Sequence, residues 1–158
     1  MEVKEGKYLV FSLKEEYFGL PITKVKEIIG LMDITHVPKM PAYMKGVINL
    51  RGKIIPIMDL QVRFGMEGTQ YSERTCIIVT EVQIQDIKRL MGIVVDVVVE
   101  VANIQSEDIE PPPQYEDKTD MSFLTGIAKG KDKVILLLEI ECILNREELI
   151  QLKDLKVN

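Results

Sequence analysis

The chain has no tryptophan, one histidine and two cysteines in 158 residues, and each scarcity removes a class of chemistry. Cys76 and Cys142 lie inside apolar runs, without a second thiol or an imidazole at ligand spacing. They read as reduced, packed side chains, so neither a disulfide nor a redox or metal role is expected. The single histidine, His36, stands just before the turn Pro38 to Pro41, with no serine or cysteine nucleophile in a strand-turn-helix context to work with. Glycine and lysine meet in Gly126 to Asp132, but the spacing is too short for a phosphate-binding loop. Asp132 also stands where serine or threonine is required, and a strand follows instead of a helix. No calcium-type loop of alternating oxygen donors is present. These absences describe a chain that is not an enzyme and that takes no metal or cofactor.

Long hydrophobic runs are missing too. Runs such as Val134 to Leu138, fenced by Lys133 and Glu139, fall far short of the roughly 20 residues a membrane helix needs. The charged opening leads into a short apolar stretch that breaks at Ser12 and Lys14, which is no signal-peptide core. A cytosolic domain with no direct membrane insertion is expected. Its net charge of −5 offers no broad attraction to phosphate backbones, which argues against a nucleic-acid partner. The length suits a single domain, which at this size buries roughly 70% of the surface its unfolded chain exposes.

What is present is mostly β. Leu9, Phe11 and Leu13 alternate with Val10, Ser12 and Lys14, and further β-branched runs occupy Gly46 to Leu50, Lys53 to Met58, Thr75 to Val82, Arg89 to Val95, Val97 to Ile104 and Lys133 to Glu139. Turn residues separate them at a spacing typical of small barrel proteins, not of βαβ units. One helix is signalled, over about 146–156, where Asn145 and Glu148 form a capping box and Leu144 and Leu149 a hydrophobic staple.

The chain also repeats itself. Gly19 to Ile28 matches Gly92 to Val101 at an offset of 73, and Gly46 to Leu60 matches Gly126 to Ile140 without a gap at an offset of 80. The opening strand, Leu9 to Ser12, lies over Ile77 to Thr80 at an offset of 68, a weaker match that any two β-rich halves could show. Two copies, about 7–65 and 73–144, are expected within one domain spanning 1–158. A unit of about 60 residues is marginal alone, so the copies should share a buried interface, leaving a folded chain that is monomeric when free. Gly65 to Ser72 reads as the connector and Ser106 to Ser122, with its triple proline, as a long loop of the second copy.

The stretch His36 to Leu60, with Gly46, Asn49, Arg51, Gly52, Pro56 and Asp59 at its fixed points, closely resembles the signature segment of the CheW family of chemotaxis coupling proteins. Supporting matches run from Tyr8 to Phe11 through Phe18 to Leu20, Val25 to Ile29, Gly92 to Asp96, Glu110 to Pro112 and Leu124 to Gly126, so nearly the whole chain is covered. The resemblance implies two intertwined SH3-like five-stranded barrels plus the C-terminal helix. It also implies an adaptor that couples the cytoplasmic tip of methyl-accepting chemoreceptors to the regulatory domain of the histidine kinase CheA, recruited to membrane-associated receptor arrays. The kinase domain would bind barrel to barrel, and the receptor tip in the groove between barrels. Binding positions carried over from the family are Val25, Glu27 and Ile28 in the first block, and Ile48, Asn49, Leu50, Arg51 and Gly52 in the signature. The internal repeat adds Val98 and Val101. One segment departs from the family: Glu81 to Leu90 is longer and more polar than its hairpin should be.

Two other readings compete. Arg51, Lys53, Lys129, Lys131 and Lys133 fall on corresponding turns of the copies and could line the basic groove of a small-barrel nucleic-acid binder, but no exposed aromatics accompany them for stacking. An enzyme of another type would need a paired acid and base, and none is visible.

Overall fold

The computed structural model describes residues 5–67, 70–113 and 122–143. The expected C-terminal helix at 146–156 lies outside them. Five strands precede the connector: β1 (Gly6–Leu13), β2 (Glu16–Pro21), β3 (Val25–Gly30), β4 (Met44–Leu50) and β5 (Lys53–Asp59). After it come β6 (Cys76–Ile84), β7 (Ile87–Val95), β8 (Val97–Ile104), β9 (Ile109–Glu110), β10 (Leu124–Lys129) and β11 (Val134–Leu138). A one-turn helix, α1 (Leu60–Arg63), opens the connector because the Asp59 carboxylate accepts from the amides of Gln61 and Val62.

The chain exchanges strands between two sheets. One sheet has the order β8-β1-β2-β11-β10-β9 and the other β3-β6-β7-β5-β4, so each contains a hairpin from the opposite half of the sequence. The same pairing pattern occurs twice. β4 pairs β5 with Gly46 opposite Ile57, and β10 pairs β11 with Gly126 opposite Leu137, each with a register shift just before the glycine. β3 runs against β6 with Glu27 opposite Val79, and β8 against β1 with Glu100 opposite Val10, again with matching irregularities. Two five-stranded barrels were the expectation, and the strands fall into two sheets. The second sheet has five, whereas the first counts six because the two-residue β9 pairs with β10. Its counterpart in the other half is the isolated bridge between Thr35 and Val47.

The register also corrects one sequence match. Val10 pairs with Gly19 and Val79 with Gly92, so the opening strands correspond at an offset of 69, not 68. A one-residue slip exchanges the two faces of a strand, and the pattern could not resolve it because β1 is apolar on both. Leu9, Phe11 and Leu13 enter one core while Tyr8 and Val10 enter another, and even Ser12 is only 9% exposed. The alternation expected for a half-exposed strand is therefore absent.

Three apolar cores result. One fills the six-stranded sheet around Val10, Ala128, Ile135 and Leu137, and one fills the five-stranded sheet around Ile48, Ile57, Ile77 and Val79. The third and largest lies between the sheets and takes Leu9, Phe11, Leu20, Met58, Ile78 and Ile93 from both halves. All four phenylalanines of the chain stack there in sequence, Phe11, Phe18, Phe64 and Phe123, with centroids 5.8, 5.7 and 5.0 Å apart. A polar seam runs beside them: Gln61 Nε2 donates to Asp96 Oδ1 at 2.5 Å, the Lys14 amide donates to Asp96 Oδ2 at 2.9 Å, and the Tyr71 hydroxyl donates to Asp59 Oδ2 at 2.9 Å. It pins the connector and the first hairpin to the second half.

Glycine is required where the halves interlock. β2 runs parallel to β11 with Gly19 opposite Leu137, and β5 runs parallel to β7 with Ile57 opposite Gly92. A Cβ on Gly92 would lie 2.5 Å from Ile57 Cδ1 and 2.8 Å from Ile77 Cγ2, whereas one on Gly19 would stand 3.2 Å from Leu137 Cδ2. Gly46 is tighter still: its φ is +140° and a Cβ would fall 2.0 Å from the Thr35 carbonyl oxygen. Alanine at these sites should therefore destabilise in the order Gly46, Gly92, Gly19. Gly92→Ala should cost about 1–3 kcal/mol by overpacking, and Gly19→Ala less. Urea unfolding of the three variants checks the order.

Candidate interaction surface

The ten residues singled out in the sequence separate by environment. Ile48 is 1% exposed within the core of the five-stranded sheet, so its side chain packs inward and is not presented to a partner. Leu50 packs partly against the same core, and Val25 and Val98 against the core between sheets. Asn49 and Gly52 build the β4–β5 turn: Asn49 Oδ1 accepts from the Gly52 amide at 2.9 Å, and Gly52 has φ +86°. The remaining four, Glu27, Ile28, Arg51 and Val101, carry exposed or half-exposed side chains.

Ile28 and Val101 occupy equivalent positions on β3 and β8, which are edge strands of different sheets. They are 45% and 52% exposed, and Val99, Leu31 and Met32 add further exposed apolar surface. Cys76 relates the two edges. It pairs with Gly30 at the end of β3, and its thiol forms a hydrogen bond with the backbone of Val98 on β8. Burial pushes that thiol's pKa up and the hydrogen bond only partly opposes it, which favours the thiol over the reactive thiolate. Both edges carry a bulge, between Val25 and Glu27 on β3 and between Val98 and Glu100 on β8, a device that twists an exposed edge away from indiscriminate pairing.

Arg51 sits in the left-handed region at φ +51°, a conformation that favours Asn or Gly, and its guanidinium forms an ion pair with Glu27. This contact joins the β4–β5 turn to the edge strand β3, and sequence reasoning did not find it. Nothing periodic links positions so far apart on separate strands. On the other half, Lys133 plays the matching part: Nζ lies 2.8 Å from Glu100 Oε2 and 4.8 Å from the Tyr17 ring centroid. Each ion pair borders a groove, one of about 470 Å³ beside Arg51 and one of about 730 Å³ beside Lys133. No group of three potential metal ligands occurs among the described residues.

Against this geometry stand the comparisons with known proteins. The family model for the CheW-like domain matches residues 7–148. This chain belongs to the CheW-like family. The chemotaxis protein CheW of Klebsiella aerogenes is 38% identical over 142 residues, covering 90% of this chain and 83% of that protein. That of Bacillus subtilis is 30% identical over 148 residues, covering 92% of each. The crystal structure of the scaffolding protein TtCheW from Thermoanaerobacter tengcongensis superposes with a TM-score of 0.80 at 41% identity, covering 92% of this chain and 97% of that one. The CheW-like fold therefore extends over the strand exchange, both edge strands and both grooves.

The ion pair between Arg51 and Glu27 is exposed, at 69% and 35% of the two side chains, so solvent screening leaves it worth no more than about 1 kcal/mol. Arg51→Ala should lower stability by no more than that. Exchanging the charges, Glu27→Arg with Arg51→Glu, should restore most of whatever either single reversal loses, which a double-mutant cycle in urea measures.

Proposed function

We propose that this CheW-like chain is a non-enzymatic chemotaxis adaptor that holds the regulatory domain of the histidine kinase CheA and the cytoplasmic tip of a chemoreceptor at the same time. Membership of the family supports the adaptor role in chemotaxis and gives no support to a nucleic-acid binder. In this reading each sheet curls around its own apolar core as an SH3-like barrel. The kinase domain docks barrel to barrel and the receptor tip lies along the edge strands between the barrels.

The observation that carries the proposal is the pair Ile28 and Val101, left 45% and 52% exposed at equivalent points of the two edge strands, with Val99, Leu31 and Met32 exposed close by in the sequence. A surface strip of this kind marks a protein contact. Glu27 and Arg51 border it and supply charge at its rim, where they govern encounter and specificity more than affinity. Val25 and Val98 underlie it. Asn49, Leu50 and Gly52 shape the turn that presents Arg51, and Ile48 supports that turn from the core. No helix among the described residues is long and apolar enough to cross a membrane, so recruitment to receptor arrays in this reading comes through the receptor.

Two separable surfaces predict a ternary complex. Size-exclusion chromatography of the chain with kinase regulatory domain and receptor fragment should give one peak containing all three, and mutual exclusion of the two partners would sink the adaptor reading. Arg51→Glu should fold normally yet weaken one partner by about 2–5 kcal/mol, chiefly through faster dissociation, if Arg51 meets a carboxylate there. Unchanged affinity for both partners would assign Arg51 to the turn alone.

A further inference from the structure

We infer that the groove beside Arg51 is a docking site for an acidic segment of a protein partner, and that the long β6–β7 hairpin makes it so. The inference rests on the adaptor reading only in taking the occupant to be protein. Among the described residues five cations line this groove, Lys26 from β3, Arg51 from the β4–β5 turn, Lys53 from the start of β5, and Lys88 and Arg89 from β7, against two carboxylates, Glu27 and Glu81. Both carboxylates are engaged within the groove, Glu27 by Arg51 and Glu81 by Lys26 at 3.5 Å and Lys88 at 4.0 Å. An excess of positive charge thus stands in one place on a chain whose net charge is −5. Clefts of one sign concentrate ligands of the other.

The other half supplies an internal control. Its equivalent groove carries Lys129, Lys131 and Lys133 against Glu100, Asp108 and Asp132, a balanced set. Part of the difference comes from the hairpins, since Lys88 and Arg89 line the basic groove, and the rest from Asp108 and Asp132 in the balanced one. β1 and β2 end their pairing at Leu13 and Glu16, whereas β6 and β7 continue past the equivalent pair, Val82 and Arg89, through Gln83 with Lys88 and Ile84 with Ile87. Counted from the paired glycines, Gly19 and Gly92, the places of Lys88 and Arg89 are held in the short hairpin by Glu15 and Glu16. The longer hairpin thus adds two cations to its groove, where the short hairpin adds no charged side chain to the other.

The floor narrows the occupant's chemistry. Leu50, Ile55 and Leu90 are apolar, so a bare inorganic anion would leave that surface unused. Among the described residues no aromatic side chain lines the groove, which denies nucleic-acid bases a stacking platform. A short peptide stretch with carboxylates on either side of an apolar residue satisfies both the walls and the floor.

The test uses the full-length isotope-labelled chain and a pentapeptide with leucine at its centre and glutamate at the other four positions. Amide chemical shifts should move at Lys53, Lys88 and Leu90 at about 10 mM salt and return to their free values near 1 M, where charges are screened beyond about 3 Å. The lysine counterpart of the peptide should move nothing. Lys88→Glu with Arg89→Glu should weaken the peptide by at least about tenfold and weaken either the kinase domain or the receptor fragment similarly, leaving the other partner unaffected. The milder Lys88→Gln with Arg89→Gln, expected to fall between, guards against a folding defect in the first variant. Shifts centred on Lys129 to Lys133, a double variant that keeps full affinity for peptide and both partners, or displacement of the peptide by short oligothymidine would each overturn the inference. A wild-type chain that binds neither kinase nor receptor while the peptide still maps to the groove would overturn the adaptor reading and leave the acidic-segment site standing.

Discussion

Neither half of this chain can complete a sheet from its own strands. β2 finds its second neighbour in β11, β5 in β7 and β1 in β8, while the edge strand β3 pairs with β6, and all four pairings cross the connector. Two of them are parallel, which a tight hairpin cannot make, so the chain must travel through the other sheet between partners. Gly19 and Gly92 sit at those crossings because the neighbouring strand leaves no room for a side chain. From this interlock follow the rest of the features: hairpins buried on both faces, a core shared between sheets, and two edge strands, β3 and β8, left at the ends of their sheets.

The interlock also explains what a reader of the sequence could and could not see. The blocks that repeat ungapped were legible, because Gly46 to Leu60 and Gly126 to Ile140 keep the same spacing and the same hairpin register. β2, β3 and β10 were harder to separate as strands, since glycine and proline interrupt them and β3 buries only one side of an edge. The offset of the first strand went wrong by one because periodicity carries information only when the two faces of a strand meet different solvents. β1 meets protein on both. For the candidate surface, sequence named segments whose side chains the structure divides among core, turn and exposed edge. Ile48 and Ile28 are the same residue type in similar strands, yet one lies under a sheet and the other on an edge. Only the strand order distinguishes them.

A fold assembled from two like halves carries a specificity problem when its role is to hold two different partners. Backbone pairing, bulges and rim ion pairs recur so closely that a partner fitted to one half would find much of the same surface on the other. Discrimination between two such surfaces needs an element that repels as well as one that attracts. The hairpins are where the halves differ most, in length and in sign of charge. Glu15 and Glu16 at the tip of the short one would repel the acidic segment that Lys88 and Arg89 attract, and like-charge contacts across an interface cost several kcal/mol. Neither change touches the parallel pairings that interlock the halves, which run over Tyr17 to Gly19 and Gly92 to Val94. The repeated strands can thus stay fixed by packing while the hairpin ends diverge, and the two ends of one small domain become different surfaces without any change in the fold that joins them.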